Sequence, residues 1–254
     1  MNYNIKISSP DENIAKLVRE LIDSDLPPDS QSVYCGIRNR VVKVHRGGHD
    51  INVKSFKIPD PINKYVYGRL RKSKARRSFE HAQILLEMGF RTPHPLAYIE
   101  EFDGPRFNRS FYISEQLQDF EEMRQLPEDN QLWTTLAEDL AVLMTKLHKM
   151  GVWMKDFSMG NVLRRLTPDG HYDFFLVDIN RMDFNVEDKQ KLWLNFRNIT
   201  DNNDFLDYLS CCYADLNGLN KAEFIHKAQR IRLEFLERSK DKNRFKRFFK
   251  LKKN

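Results

Sequence analysis

The chain has 254 residues, which is enough for one large domain or for two small lobes that share a cleft. Hydrophobic residues make up 41% of the chain and aromatic residues 12%, so it can bury a sizeable core, and intrinsic disorder is excluded. The net charge of +6 favours an anionic partner, such as a nucleotide, a nucleic acid or an acidic membrane surface, without choosing among them.

The cysteines and the apolar runs predict a cytoplasmic location. Cys35, Cys211 and Cys212 have no C-x-x-C spacing, which favours reduced thiols over a zinc site or a disulfide framework. No stretch approaches 18 apolar residues, and the first residues lack an apolar run of signal-peptide length. We therefore expect neither a membrane span nor a secretory signal.

Residues 1–30 are predicted to form an accessory helix ahead of the main fold. Ser9 can cap the helix, Pro10 suits its first turn, and Glu12 completes a capping box. The apolar residues that follow lie on one helical face, and the helix is expected to end near Asp25.

Residues 31–117 predict an antiparallel five-stranded lobe with one helix. The strands, separated by turns rich in Gly, Asn and Asp, are Gln31–Gly36, Val41–His45, Ile51–Ile58, Leu96–Glu100 and Ser110–Leu117. A basic helix over Ser73–Met88 has an inward apolar face and ends at Gly89.

Residues 118–254 predict a mainly helical lobe that carries a short hairpin. Its helices are Asp129–Met150, Glu187–Ile199, Asp204–Ala214 and Lys221–Phe249. The tail 238–254 is basic, with Phe245, Phe248 and Phe249 on one side of a helix, which is typical of a helix that lies on an anionic lipid surface. A solvated tail whose phenylalanines dock on this lobe fits the same pattern, and no fold motif supports nucleic-acid binding.

The segment from Asp156 to Asn161 carries the most specific chemical signal. An Asp, an Asn five residues later and a further Asp178 at the end of an apolar strand form the phosphotransfer layout of kinase-like folds. Asp156 would accept or orient the proton of an acceptor hydroxyl. Asn161 and Asp178 would supply oxygen ligands for Mg²⁺ on the phosphates of ATP.

Lys54 lies inside an apolar strand, as does the lysine that holds ATP phosphates in kinases. Glu80, on the next helix, is the favoured partner of this lysine, and Glu87 is the alternative. Lys57, three residues along, points to the opposite face of the strand, so only one of the two lysines can face a nucleotide.

Three further positions are candidates for binding. The strand end at Glu115 and Leu117 stands where backbone groups of kinase folds bind adenine. Arg181 has a guanidinium that suits a phosphate or a sugar-acid carboxylate, although it could instead pair with Asp183 or Glu187. Lys155, beside Asp156, is a further candidate for acceptor binding.

Together these residues resemble the lipopolysaccharide core kinases, the Kdo/WaaP-type family of the kinase-like superfamily. The resemblance covers about residues 31–215. The segments that carry it are Val53–Phe56, Ser73–Glu80, Gly89–Pro93, Leu147–Gly151, Asp156–Asn161 and Val177–Arg181. The pattern departs from protein kinases at Met154, which replaces a histidine, and it lacks a glycine-rich phosphate loop and the Gly of D-F-G.

The resemblance implies an α+β, two-lobed protein-kinase-like fold that uses ATP and Mg²⁺. The acceptor would be a hydroxyl of a Kdo or heptose sugar in the lipid A inner core, on the cytoplasmic face of a Gram-negative inner membrane. Two alternatives stay open: a kinase of another acceptor, such as a protein or a small molecule, and a non-catalytic pseudokinase adaptor.

Overall fold

The computed structural model describes residues 1–8, 10–36, 39–60, 64, 67 and 71–251, and from 242 to 251 it describes the backbone alone. The chain divides into two compact units. The first contains residues 1–118 and 176–180, and the second contains residues 119–175 and 181–254. Ser9 as a helix cap, the turn at Arg38 and the side chains of Phe245, Phe248 and Phe249 lie outside the described residues.

An antiparallel sheet forms the centre of the first unit. Its strands, in chain order, are β1 (Asn2–Ile7), β2 (Gln31–Cys35), β3 (Asn39–Arg46), β4 (His49–Phe56), β5 (Pro95–Asp103) and β6 (Arg106–Glu115). They lie in the order β1-β5-β6-β4-β3-β2, and every neighbouring pair is antiparallel. The predicted α+β class with a mainly antiparallel sheet is confirmed.

All five strands predicted within residues 31–117 are present, and the sheet has a sixth strand at its edge, β1, from the segment 1–30 that was predicted only as a helix. Asn2–Ile7 pairs with β5 along its whole length, from Asn2 opposite Phe102 to Ile7 opposite Ala97. Tyr3, Ile5 and Ile7 alternate with Asn2, Asn4 and Lys6, which is the pattern of a strand, although most of these residues are exposed.

Helix α1 (Glu12–Asp23) covers one face of this sheet. Asp11, rather than Ser9, accepts hydrogen bonds from the first turn and caps the helix. Leu17 and Leu21 are completely buried against the inward residues of the strands, among them Val53 and Ile113. The helix set apart from the sequence as an accessory segment therefore shares the core of the first unit.

Helix α2 (Lys74–Glu87) covers the opposite face. Its Ala75 and Phe79 pack with Phe56, Tyr98 and Tyr112 in a second cluster. Because side chains alternate along a strand, Lys54 lies on the same face of β4 as Phe56. Lys54 stands directly opposite Tyr112 in the sheet, so the strand places its ammonium group on the side covered by α2.

The second unit is mainly helical in its described residues. Its helices are α3 (Asn130–Lys149), α4 (Lys189–Trp193), α5 (Asn203–Leu216) and α6 (Lys221–Leu251), with a 3-10 helix at Leu194–Arg197. Two small sheets join β7 (Glu121–Glu122) with β9 (Val162–Leu166) and β10 (Tyr172–Leu176), and β8 (Trp153–Met154) with β11 (Met182–Asp183). None of the described helices is both long and apolar enough to cross a membrane.

Candidate functional site

In the first unit, the segment 176–180 carries Asp178, which the sequence predicts to be a metal ligand; we call it the metal loop after that prediction. The start of this loop is bound to the segment between α2 and β5, because the backbone N–H of Leu176 donates to the carbonyl of Arg91 at 3.0 Å. The carbonyl oxygen of Leu176 in turn accepts from the hydroxyl of the buried Thr92 at 2.8 Å. The start of the loop is thus held by one backbone and one side-chain contact.

Helix α2 holds the end of the metal loop. His81 donates from Nδ1 to the carbonyl of Ile179 at 2.8 Å, and Arg77 donates to the carbonyl of Asn180 at 2.7 Å. Burial lowers the pKa of His81 and so favours its neutral ring, which can still donate from Nδ1. The helix and the loop therefore form one hydrogen-bonded structure within the first unit.

Asp178 sits at the strained point of this loop. Its φ of 54° lies in the left-handed region, which a residue with a side chain rarely adopts and which is often found at functional sites. One carboxylate oxygen accepts from Lys54 Nζ at 2.5 Å and from Asn180 Nδ2 at 2.7 Å. The strand lysine and the loop carboxylate, 124 residues apart, form one ion pair.

The donor atoms of the metal loop suit a hard cation. The amide oxygen of Asn180 is buried and finds no hydrogen-bond partner among the residues described, and it belongs to the side chain that binds Asp178. No group of three or more His, Cys, Asp or Glu in the described chain forms a metal cluster. Mg²⁺ needs no such cluster, because phosphate oxygens and water complete its ligands beside one or two carboxylates.

The predicted partner of Lys54 is not its partner in the structure. Glu80 accepts from Lys72 at 2.8 Å and from Arg76, four residues earlier on α2, at 2.9 Å. The carboxylate of Glu80 is thus paired with Lys72 and Arg76, and Lys54 is paired with Asp178. Spacing along the sequence could not decide between two carboxylates that both approach the same face of the sheet.

The predicted adenine-binding strand end lies at the end of β6. The backbone N–H of Glu115 donates to His94, and Gln116 donates through its backbone to Asp50 and through its side chain to the carbonyl of Leu117. The side chain of Glu115 is exposed. These contacts fix the backbone at Glu115 and Leu117, and the side chains at both positions play no part in them.

In the second unit, the predicted base Asp156 is bound by Arg181. One guanidinium nitrogen of Arg181 lies 3.2 and 3.0 Å from the two carboxylate oxygens. The backbone supports this pair, because the N–H of Lys155 donates to the carbonyl of Arg181. The strands next to these two residues, β8 and β11, also pair with each other. The exposed Lys155 therefore enters the site through its backbone.

Asn161 ends the segment 154–161, which carries the predicted base Asp156; we call it the catalytic loop after that prediction. Its side-chain Nδ2 donates to the backbone carbonyl of Asp156 at 2.8 Å, so the amide oxygen is the atom that can ligate a cation. The structure thus joins Asp156, Asn161 and Arg181 in the second unit, and Lys54 and Asp178 in the first.

Sequence reasoning missed the residues beneath the catalytic loop. Asn195 donates from Nδ2 to the carbonyl of Met154 at 2.6 Å, and Arg197 donates to the carbonyl of Lys155. The oxygen of Asn195 lies 3.1 Å from Nε2 of His148. No sequence motif links positions about forty residues apart, and the only hint was the buried face of the helix that contains His148.

Gly151 makes the turn between α3 and the catalytic loop possible. Its φ of 66° favours glycine, and an added Cβ would lie 2.9 Å from the backbone nitrogen of Val186. That nitrogen donates to the Gly151 carbonyl at 2.9 Å. The Leu147–Gly151 segment therefore has a structural reason for its glycine.

His148 should make stability depend on pH. Burial lowers its pKa from 6.5 to about 4, so the unfolded chain binds the proton first. The free energy of unfolding should be highest above pH 6.5 and fall by roughly 3 kcal/mol as the pH drops towards 4. Urea unfolding at several pH values checks this dependence.

The matched variants are His148→Gln and His171→Gln. The first should lose the decrease between pH 6.5 and 4. The exposed His171 has a pKa that Asp139 raises, so its contribution is present at low pH and is lost as the pH rises. A decrease of equal size in His148→Gln would contradict the assignment.

The mixed α/β fold is that of the kinase-like class, and the comparisons with known proteins identify the family. The model of the lipopolysaccharide kinase (Kdo/WaaP) family matches residues 57–200, which is more than half of the chain. The chain belongs to this family. The resemblance noted from the sequence is thereby confirmed, and membership of a kinase family supports a phosphotransferase that uses ATP.

A solved structure agrees with the family at the level of the fold. The structure described as "WaaP in complex with acyl carrier protein" is similar with a TM-score of 0.57 over 94% of this chain and 98% of that one. The two sequences are 15% identical, so this likeness concerns the fold. No curated protein matches the chain in sequence.

Proposed function

We propose that the protein transfers the γ-phosphate of ATP to a hydroxyl of a Kdo or heptose sugar in the lipid A inner core of lipopolysaccharide. The observation that carries this proposal is the 2.5 Å pair between Lys54 and Asp178 in a chain of the Kdo/WaaP family. A pseudokinase adaptor would have no need for this pair or for a catalytic loop that retains Asp156 and Asn161.

On the nucleotide side, Lys54 would bind the α- and β-phosphates, and the backbone near Glu115 and Leu117 would bind adenine. Asp178 would turn from Lys54 to the cation when nucleotide binds. Lys54 would then need another anionic neighbour, and Glu80 on α2 is proposed for that state. Its present partners, Lys72 and Arg76, are partly exposed and can exchange at little cost.

Asp178 and Asn161 are proposed as ligands of Mg²⁺. The carboxylate of Asp178, the amide oxygen of Asn161 and the unpartnered amide oxygen of Asn180 are the hard donors that this ion prefers. When bound, Mg²⁺ would neutralise charge on the transferring phosphate. Asn180 also orients Asp178, because it donates a hydrogen bond to the Asp178 carboxylate.

On the acceptor side, Asp156 would take or orient the hydroxyl proton, and Lys155 and Arg181 would bind an anionic group of the sugar. Arg181 now neutralises Asp156, so a sugar carboxylate or phosphate that attracts Arg181 would release the base. Arg197 adds positive charge close to Asp156 and Arg181. Burial lowers the pKa of Arg197, the charge of Asp156 raises it, and the charge of Arg181 lowers it.

A lipid-linked acceptor implies that the protein works at an anionic membrane surface, as a peripheral protein on the cytoplasmic face of the inner membrane. The charge of +6 and the basic tail 238–254 suit that surface, and no nucleic-acid partner is proposed. The similar structure is described as WaaP in complex with acyl carrier protein, so a carrier protein of this kind is a second candidate partner.

The test is transfer of radiolabelled phosphate from ATP, with Mg²⁺, to purified lipid A–core glycolipid. Label on the glycolipid that disappears with Asp156→Ala would support both the chemistry and the acceptor class. Binding of Mg·ATP without labelled glycolipid would move the proposal to a kinase of another acceptor, to be tested with protein and small-sugar acceptors. No binding of Mg·ATP would favour the pseudokinase adaptor.

A further inference from the structure

We propose that the 3-10 helix Leu194–Arg197 is a positioning element that holds the backbone immediately before Asp156. Two of its side chains donate to consecutive carbonyl groups of the catalytic loop. Asn195 binds the carbonyl of Met154 at 2.6 Å, and Arg197 binds that of Lys155. The base is thus attached to the second unit through the two peptide groups that precede it.

The Met154 carbonyl is a strong anchor point. It also accepts from the backbone N–H of Phe157 at 3.2 Å, which closes the tight turn around Asp156. Met154 and Phe157 are themselves buried, at 1% and 2% exposure, so both ends of this turn are fixed in the core. Because the Met154 carbonyl is held by these hydrogen bonds, the backbone at Asp156 cannot turn without breaking one of them.

Asn195 is oriented by two further buried residues. The hydroxyl of Tyr213 lies 2.8 Å from Nδ1 of His148, and Nε2 of His148 lies 3.1 Å from the side-chain oxygen of Asn195. Asn195 donates to a carbonyl, so its oxygen must accept, and the imidazole proton must therefore sit on Nε2. Nδ1 then accepts from the hydroxyl of Tyr213. In this series of hydrogen bonds, which we call the relay, Tyr213 donates to His148, His148 to Asn195, and Asn195 to the catalytic loop.

Charge and burial keep this direction fixed. The pKa of His148 is lowered to about 4, so the ring stays neutral near pH 7, and burial raises the pKa of Tyr213 to about 12, so its hydroxyl keeps its proton. Asn195 and Tyr213 are both 3% exposed. Reversing any link would leave a buried donor or acceptor unpaired, at a cost of about 1–3 kcal/mol.

The functional consequence is precision at the base. The relay starts at Tyr213 on α5, passes through His148 on α3 and ends at the catalytic loop. The position of Asp156 therefore depends on packed helices rather than on the loop itself. A displacement of about 1 Å at a reacting group can cost on the order of 100-fold in rate. Where protein kinases place a histidine, this chain has Met154, whose side chain makes no hydrogen bond of that kind, and Asn195 supplies a polar contact at that point.

The test compares Asn195→Leu and Tyr213→Phe with the wild type and with Ser210→Ala. Ser210 is a matched control, since it is fully buried on α5 and its hydroxyl bonds only within that helix, to Leu206 at 2.6 Å. The first readout is hydrogen exchange of the backbone amides of residues 155–161, which requires no substrate. Asn195→Leu should accelerate it by about tenfold or more, Tyr213→Phe by a smaller factor, and Ser210→Ala not at all.

The second readout rests on the proposed function and uses phosphate transfer. Asn195→Leu should lower kcat by about 10- to 100-fold while KM for ATP stays within about threefold. Unchanged loop exchange in folded Asn195→Leu, or unchanged kcat beside a raised exchange, would overturn the positioning role. If Asn195→Leu does not fold, Tyr213→Phe decides by the same criteria. If Asn195→Leu accelerates exchange and the wild type itself shows no phosphate transfer, the result counts against the proposed function and still supports the positioning contact.

Discussion

Replacement of Asp156 by alanine should slow phosphate transfer by about 10²–10⁴-fold while the Kd for Mg·ATP stays within about threefold of the wild type. The carboxylate belongs to the second unit and is bound by Arg181, and Lys54 and Asp178 lie in the first. Loss of the proposed base should therefore remove an interaction with the acceptor hydroxyl in the transition state and leave nucleotide binding in place. Initial rates at saturating ATP, together with calorimetric titration of Mg·ATP, measure the two quantities separately.

Two variants control for the loss of charge and of an ion pair. Asp156→Asn keeps the shape of the side chain and a contact with Arg181, but it cannot take a proton, so it should be nearly as slow as the alanine variant. Asp183→Ala removes another carboxylate of the second unit, one that binds Lys191 at 2.6 Å and is half exposed, and its rate should stay within about twofold. Turnover of Asp156→Ala within tenfold of the wild type would remove Asp156 from the mechanism.

Local sequence patterns predicted most of the regular structure. The helices over Lys74–Glu87 and Asn130–Lys149 lie within a residue or two of their expected bounds, because each has an apolar face and a clear capping residue. The hairpin strands β3 and β4 were predicted from their alternation and turn residues. By contrast, β1 was not predicted although Tyr3, Ile5 and Ile7 alternate with polar residues, since six residues of alternation do not show which strand edge they will pair with.

Side-chain partners in the site were harder to predict than the residues themselves. Lys54 was identified from an apolar strand and Asp178 from a strand end, yet the sequence assigned Lys54 to Glu80. A carboxylate one turn into a helix and a carboxylate on a distant loop are equally plausible partners until the fold sets the distances. The residues that hold the loops in place were not predicted at all. A hydrogen bond from a side chain to a backbone carbonyl, such as that from Asn195 to Met154, leaves no pattern in the sequence.

Asp178→Ala should abolish measurable binding of Mg·ATP, an increase in Kd of about 100-fold or more. The change removes the proposed magnesium ligand, and it also leaves the ammonium of Lys54, whose side chain is 14% exposed, without its carboxylate. Two effects are therefore expected: loss of the part of nucleotide affinity that depends on Mg²⁺, and a lower free energy of unfolding. Titration of ATP with Mg²⁺ and with EDTA separates the first from the second, because only the metal-dependent part reports ligation.

The controls keep the two effects apart. Asp178→Asn preserves the shape of the side chain and an oxygen for Lys54, so it should be more stable than the alanine variant while still losing most of the Mg²⁺-dependent affinity. Asp29→Ala breaks a different ion pair of the first unit, the one with Arg46 at 2.6 Å, and should leave nucleotide binding unchanged. Tight binding of Mg·ATP by a folded Asp178→Ala protein would show that the metal is held elsewhere. The pair with Lys54 would then be a structural contact of the first unit, and the kinase proposal would have to rest on Asp156 and Asn161 alone.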